Sequence, residues 1–180
     1  MYKIILLSLL FCANLVAQNS FNIEQYYYKI NKNVFLCDGI ENTISDAERK
    51  KLIVTLDNKN GYIKAKPRVG DLQIALFKNK TLKKDFVLVN LTCGAGCMCN
   101  TLVFYEAIAD GNLKPTSSLF PNDEIDKENQ KWQKQLNTDE LFTAIVLPQF
   151  GTLIKVINDD NGEHLYNLKW NGSAFLVQQK

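Results

Sequence analysis

The chain has 180 residues, 46% of them hydrophobic and 11% aromatic, with five cysteines and a single histidine. Its 21 basic residues against 19 acidic ones leave a net charge of +2, too little for a global field, so neither nucleic acid nor an anionic membrane is implied as a partner. One histidine excludes zinc hydrolases that need two or three imidazoles, and any acid–base mechanism that needs two.

At the start of the chain, Lys3 precedes an apolar run from Ile4 to Phe11, and the small residues Ala13 and Ala17 follow. This is the order of a secretory signal. The run falls short of the roughly 20 apolar residues of a spanning helix. Residues 1–17 are expected to be a cleaved signal peptide. Residues 18–180 then form a single disulfide-containing β-rich domain, periplasmic or secreted, with no membrane insertion after cleavage. Bulky Phe11 before Cys12, and more apolar residues after it, argue against lipidation.

The aromatic run Tyr26, Tyr27 and Tyr28 reads as a lead-in strand packing on a sheet; the alternative is an exposed strip for sugar or protein. Residues 33–37 read as a short strand. Thr43 or Ser45 can cap a helix with Asp46 and Glu48 early and Arg49, Lys50 and Lys51 late, a distribution that suits the helix dipole. Its partial apolar stripe (Ile44, Ala47, Leu52, Leu56) predicts an end near Asp57.

From Tyr62 the pattern changes to period two: Ile63 and Ala65 alternate with lysines, and Leu72, Ile74 and Leu76 share a face. The runs FVLVNLTC (86–93) and TLVFYEA (101–107) are strands by composition, and Asp110-Gly111 signals a tight turn. Residues 114–140 are polar and hold a helix over 124–136, with Ile125, Trp132 and Leu136 inward. Four meander strands follow over 141–147, 151–158, 163–170 and 174–178, the last hairpin turning at Asn171-Gly172. The expected fold is mainly β: an antiparallel meander or sandwich-like sheet of eight or nine strands with one to two helices.

Four cysteines survive cleavage: Cys37, Cys93, Cys97 and Cys99. An even count in an exported chain points to disulfides. Cys97 and Cys99, one residue apart, would close a strained ring, which leaves Cys37 joined to Cys97 or Cys99 and Cys93 to the other. The Cys37 bond would close a loop of about 60 residues, worth roughly 4 kcal/mol in the chain-entropy account.

The densest motif is CGAGCMCN, residues 93–100, at a hairpin tip between two strands. Its glycines suit a disulfide-closed loop, which makes Gly94, Gly96, Met98 and Asn100 candidates for a binding loop. The polar segment 114–140 is the second such candidate. Alternatively Cys93, Cys97, Met98 and Cys99 offer soft sulfur ligands for copper(I) or zinc. The C-x-x-x-C spacing does not match a redox C-x-x-C pair. His164 lies in a strand with no nucleophile-elbow serine or cysteine in the chain, and reads as a satisfied strand-edge residue. The segment 58–63 echoes a calcium loop but places Leu56 and Pro67 where carboxylates are required. The acidic turn 159–163 reads as a hairpin. No motif calls for a cofactor, and no catalytic residue is singled out.

Several of these segments together resemble a loose group of exported bacterial β-rich proteins without assigned function. The resemblance runs from NGYIKAK through FVLVNLTCGAGC and LVFYEA to LYNLKWNGSAF. The group's marks are a CGxxC turn between strands, here Cys93 to Cys97, and a late aromatic strand ending in WNG, here Trp170 to Gly172. The resemblance implies an exported β domain with a Cys93–Cys97 disulfide, leaving Cys37 to pair with Cys99, and implies no activity. The expected function is a non-enzymatic binding or inhibitor-like module for an unknown protein or glycan. The alternatives are a soft-metal protein using the Cys93 to Cys99 loop, and a carboxylate-based hydrolase, for which no acid pair stands out.

Overall fold

A computed structural model describes residues 21–35, 44–67, 70–93, 101–108 and 110–180. The described chain begins with a helix, α1 (Ile23–Lys29), where the sequence reading expected a strand. Asn22 opens it with a capping box: its Oδ1 accepts from Gln25 N–H at 2.9 Å, and Gln25 Oε1 accepts from Asn22 N–H at 2.8 Å. Ile23, Tyr26, Tyr27 and Ile30 fall at i, i+3, i+4 and i+7 and are all buried. Two of the three tyrosines are therefore core residues rather than an exposed strip. A 3-10 turn, Lys32–Phe35, stands where a strand was expected over 33–37.

Helix α2 (Asp46–Leu52) has the expected start, with a Ser45/Glu48 capping box. It stops five residues early because Ile53, Val54 and Thr55 are β-branched, and these pass directly into strand β1 (Ile53–Asp57).

Five more strands complete a six-stranded antiparallel sheet in chain order: β2 (Tyr62–Ala65), β3 (Gly70–Asn79), β4 (Lys84–Cys93), β5 (Thr101–Ala107) and β6 (Leu113–Thr116). In the long β3–β4 hairpin, Asn79 faces Lys84 at one end and Gly70 faces Cys93 at the other. One face of this sheet (Ile63, Leu72, Ile74, Val87, Val89, Leu91) packs on the apolar side of α1. The other face (Tyr62, Ala75, Phe77, Phe86, Leu88, Phe104) packs on a second sheet. Burial on both faces explains why FVLVNL is nearly continuously apolar rather than alternating.

The second sheet is a four-stranded antiparallel meander: β7 (Thr143–Val146), β8 (Leu153–Asn158), β9 (His164–Trp170) and β10 (Phe175–Gln178). It brings Leu147, Ile154, Val156, Leu168, Trp170 and Phe175 into the shared core. Helix α3 (Asn122–Leu136) packs Ile125 and Trp132 against that core, and Asn129 Oδ1 accepts from the Tyr166 hydroxyl at 2.8 Å. The fold is thus mainly β, as expected, with ten strands and three α-helices among the described residues. None of those helices is long and apolar enough to cross a membrane.

Polar side chains fasten the sheets together. Gln73 and Asn90 face each other across β3 and β4. Asn90 Nδ2 donates to the Ile145 carbonyl at 2.7 Å, and Gln73 Oε1 accepts from Leu147 N–H at 2.8 Å. At the other end of β3, the Trp170 indole N–H donates to the Lys78 carbonyl at 3.1 Å. The Trp170 ring meets Phe175 at 5.1 Å and Phe77 and Phe86 at 5.9 Å each. Trp170→Phe keeps most of this ring contact and removes the donor, so it is expected to cost about 1–3 kcal/mol. A urea midpoint lowered at constant slope would show this; an unchanged midpoint would mean the bond contributes nothing net.

Candidate functional site

The sequence placed its leading site at the β4–β5 hairpin tip. Cys93 is the last residue of β4. Cys37, Gly94, Gly96, Cys97, Met98, Cys99 and Asn100 lie outside the described residues, as does the signal segment 1–17. Among the described residues, no group of three or more His, Cys, Asp or Glu side chains is placed to hold a metal. His164 is half-buried, with Nε2 at 2.9 Å from Asn167 Oδ1 and 3.2 Å from the Tyr166 carbonyl, a satisfied structural residue at the start of β9. The acidic turn closes the β8–β9 hairpin, with Gly162 N–H bonded to the Asn158 carbonyl at 2.8 Å. Segment 114–140 supplies β6 and α3.

A different site emerges where turns from both sheets converge. A cleft of about 760 Å³ lies between the β1–β2 turn, the β3–β4 turn, the loop entering β8, the β9–β10 turn and the residues leading into α1. Its volume falls in the usual range for ligand sites, about 300–1,000 Å³. The β3–β4 pairing puts this cleft at the Asn79/Lys84 end of the hairpin, with Cys93 at the far end. Ten strand residues at ~3.4 Å each separate the two by roughly 30 Å.

Local sequence explains the walls. Asn60-Gly61 and Asn171-Gly172 are turn dipeptides whose glycines take φ of +69° and +102°. Gly61 also lies close against β3: Leu76 N–H donates to its carbonyl at 2.8 Å, and a Cβ there would meet Leu76 Cβ at 2.8 Å. Phe77 and Trp170 form the base and are almost fully buried, while Phe21 lines one side and stays partly exposed.

The lining carries Lys59, Lys78 and Lys80, and no aspartate, glutamate or histidine. Acids beside the cleft are engaged elsewhere: Asp85, opposite Lys78 across β3 and β4, accepts from the Tyr26 hydroxyl at 3.0 Å, and Asp57 and Glu24 are engaged with neighbouring asparagines. Asp57 accepts from Asn60 N–H at 3.0 Å, from Asn60 Nδ2 at 2.8 Å and from Gln149 Nε2 at 3.4 Å. These hydrogen bonds, those from Asn60 foremost, hold its carboxyl below the usual range. Glu24 pairs with Asn58 through its backbone N–H and its carboxylate. Two of the four lining asparagines, Asn22 and Asn171, spend their oxygens inside their own turns. Asn22 Oδ1 accepts from Gln25 N–H, and Asn171 Oδ1 accepts from the Ser173 N–H, the Ser173 hydroxyl and Ala174 N–H. The NH₂ groups of Asn22 and Asn171 have no partner among the described residues, whereas those of Asn58 and Asn60 donate to Glu24 and Asp57.

Chemically this is a hydrogen-bond-donating, positively charged cleft on a rigid frame. It contains no carboxylate pair in its lining and so does not furnish the hydrolase alternative with its acid and base. Sequence reasoning recognised Asn171-Gly172 as a turn, did not mark the β3–β4 turn, and saw no site here, because the lysines are scattered along the chain. The chain matches no protein-family model, no curated protein and no solved structure.

Proposed function

We propose that the protein is an exported, non-enzymatic binding module that takes its ligand, part of a protein or a glycan, in the cleft at the turn end of the two sheets. The observation that carries this reading is the composition of that cleft. Five separate segments converge on one concave surface of ligand size, and they line it with lysines, amides and hydroxyls and with no carboxylate or imidazole. Export to the periplasm or beyond is supported by the Lys3, Ile4 to Phe11 and Ala17 pattern.

The test compares two variants of residues 18–180 against a panel of extracellular polysaccharides and peptides. Thr152→Trp places a bulky ring at an exposed position in the cleft wall. The second variant replaces residues 94–98 at the hairpin tip with a plain turn. Loss of capture by Thr152→Trp alone is the expected result. Loss only on replacing the tip would move the site to Gly94, Gly96, Met98 and Asn100.

A further inference from the structure

Resting on that reading of the cleft, we infer that its ligand is an anionic glycan, an oligosaccharide bearing carboxylate or sulfate groups. Three observations converge on this class. The first is charge: Lys59 on one turn, and Lys78 and Lys80 at the end of β3, line one cleft. None has a carboxylate within ion-pair distance among the described residues, whereas Lys64, Lys84 and Lys131 pair with Asp71, Glu106 and Glu128. The second is hydrogen-bond polarity. The side-chain oxygens of Asn22 and Asn171 are consumed locally, and the carbonyls of Gly61 and Lys78 are taken by Leu76 N–H and the Trp170 indole. Beside Asn22, Asn171 and the three lysines, a ligand meets N–H groups and must bring oxygens.

The third observation is the lack of what a peptide uses. Peptides dock by adding a strand to a sheet edge or by burying apolar anchors. The cleft is made of turns at strand ends; of its three large rings, Phe77 at 3% and Trp170 at 5% exposure lie beneath the surface, and Phe21 alone is partly exposed. A single anion would gain little, because each exposed ion pair is weak and screened by salt. Affinity therefore comes from several anionic groups spaced along one oxygen-rich chain. The near-balance of charge over the whole protein hides this local concentration.

The experiment measures binding of residues 18–180 to heparin, polygalacturonate, dextran and polyglutamate at low and physiological salt. The variants are Lys59→Gln/Lys78→Gln/Lys80→Gln and, with the same net charge, Lys50→Gln/Lys127→Gln/Lys134→Gln outside the cleft. The expected result is salt-sensitive binding to heparin or polygalacturonate in preference to dextran and polyglutamate. The cleft variant is expected to lose roughly tenfold or more and the control variant less than about twofold. Heparin alone would assign sulfate, and polygalacturonate would assign carboxylate. Equal loss in both variants, equal binding of dextran, or a preference for polyglutamate would overturn the inference. If neither charged polysaccharide binds but Thr152→Trp abolishes capture of some other ligand, the ligand class falls and the cleft stands. If they bind and Thr152→Trp is without effect, the cleft reading fails as well.

Discussion

Arg49→Ala is expected to lower stability by about 3–5 kcal/mol, the loss of two charged hydrogen bonds and the packing beneath three rings. The Arg49 side chain, on α2, is fully buried. Its Nη1 donates to the Tyr28 carbonyl at 3.1 Å and its Nη2 to the Tyr27 carbonyl, so α2 caps the C-terminal end of α1. The guanidinium lies 4.3 Å from the Phe35 ring centre, 4.8 Å from that of Tyr27 and 5.6 Å from that of Tyr28. In return, the Tyr27 hydroxyl donates to the Arg49 carbonyl at 2.9 Å. Burial pushes the guanidinium pKa down; Tyr27 and Asp46, 3.8 Å away at the rim, push it back up. Arg49→Met fills much of the space without donors and is expected to cost about 1–3 kcal/mol, because it strands the two carbonyls. Urea unfolding of both variants measures this. An alanine variant within about 1 kcal/mol of the parent would show that the buried charge repays none of its desolvation.

Alkali is expected to unfold the protein abruptly. Burial lifts the Tyr27 and Tyr166 phenols from their ordinary 10.0 up to about 12, in Tyr27 against the lowering effect of the Arg49 charge. Tyr26 is raised by burial and by the Asp85 carboxylate that accepts its hydroxyl at 3.0 Å, and Tyr62 and Tyr105 are raised by burial. These phenols are neutral when protonated. The unfolded chain gives up their protons near pH 10, whereas the folded chain holds them to about 12. Their stabilisation is fully present below pH 10 and is lost as the pH climbs through about 12. Tyr27 and Tyr166 together account for about 5 kcal/mol of that loss, as large as the whole stability of many domains. Tyrosinate absorbance and far-ultraviolet circular dichroism should therefore change together in one steep step well above pH 10. A smooth titration centred on pH 10 with unchanged dichroism would contradict the buried placement of these rings.

Much of the fold was legible because its signals are local. The continuous apolar run at 86–91, the alternation at 62–65, and the turns at Asn60-Gly61 and Asn171-Gly172 each announce their structure within a few residues. The capping residues Ser45, Asp46 and Glu48 located the start of α2. Where two local signals competed, the reading failed. Tyr26 to Tyr28 look like strand residues, but the Asn22/Gln25 capping box and the spacing of Ile23, Tyr26, Tyr27 and Ile30 make a helix. The basic residues that favour α2 run into the β-branched Ile53 to Thr55, and the sheet wins. The strand β6 was hidden by Pro115, which a sheet accepts only at its margin. The cleft was illegible for another reason. Lys59, Lys78, Lys80, Thr152 and Asn171 share no spacing, and only two meanders ending at the same level bring them together.

The ordering of the strands bears also on how the protein resists aggregation. Its longest and most apolar strands, β3 and β4, are interior to the six-stranded sheet, where no other chain can reach their backbones. All four outer strands are short. β1 has five residues and an irregular register, β6 has four and holds Pro115, and β10 has four. The remaining one, β7, has backbone groups at and just beyond its end occupied by Asn90 and Gln73. Exposed sheet margins are templates for fibrillar aggregation, and brevity, irregularity, proline and occupied backbone groups all blunt them. The polar pair that joins the two sheets thus also guards one margin against cross-β growth, while FVLVNL, the segment most able to seed it, is enclosed on every side.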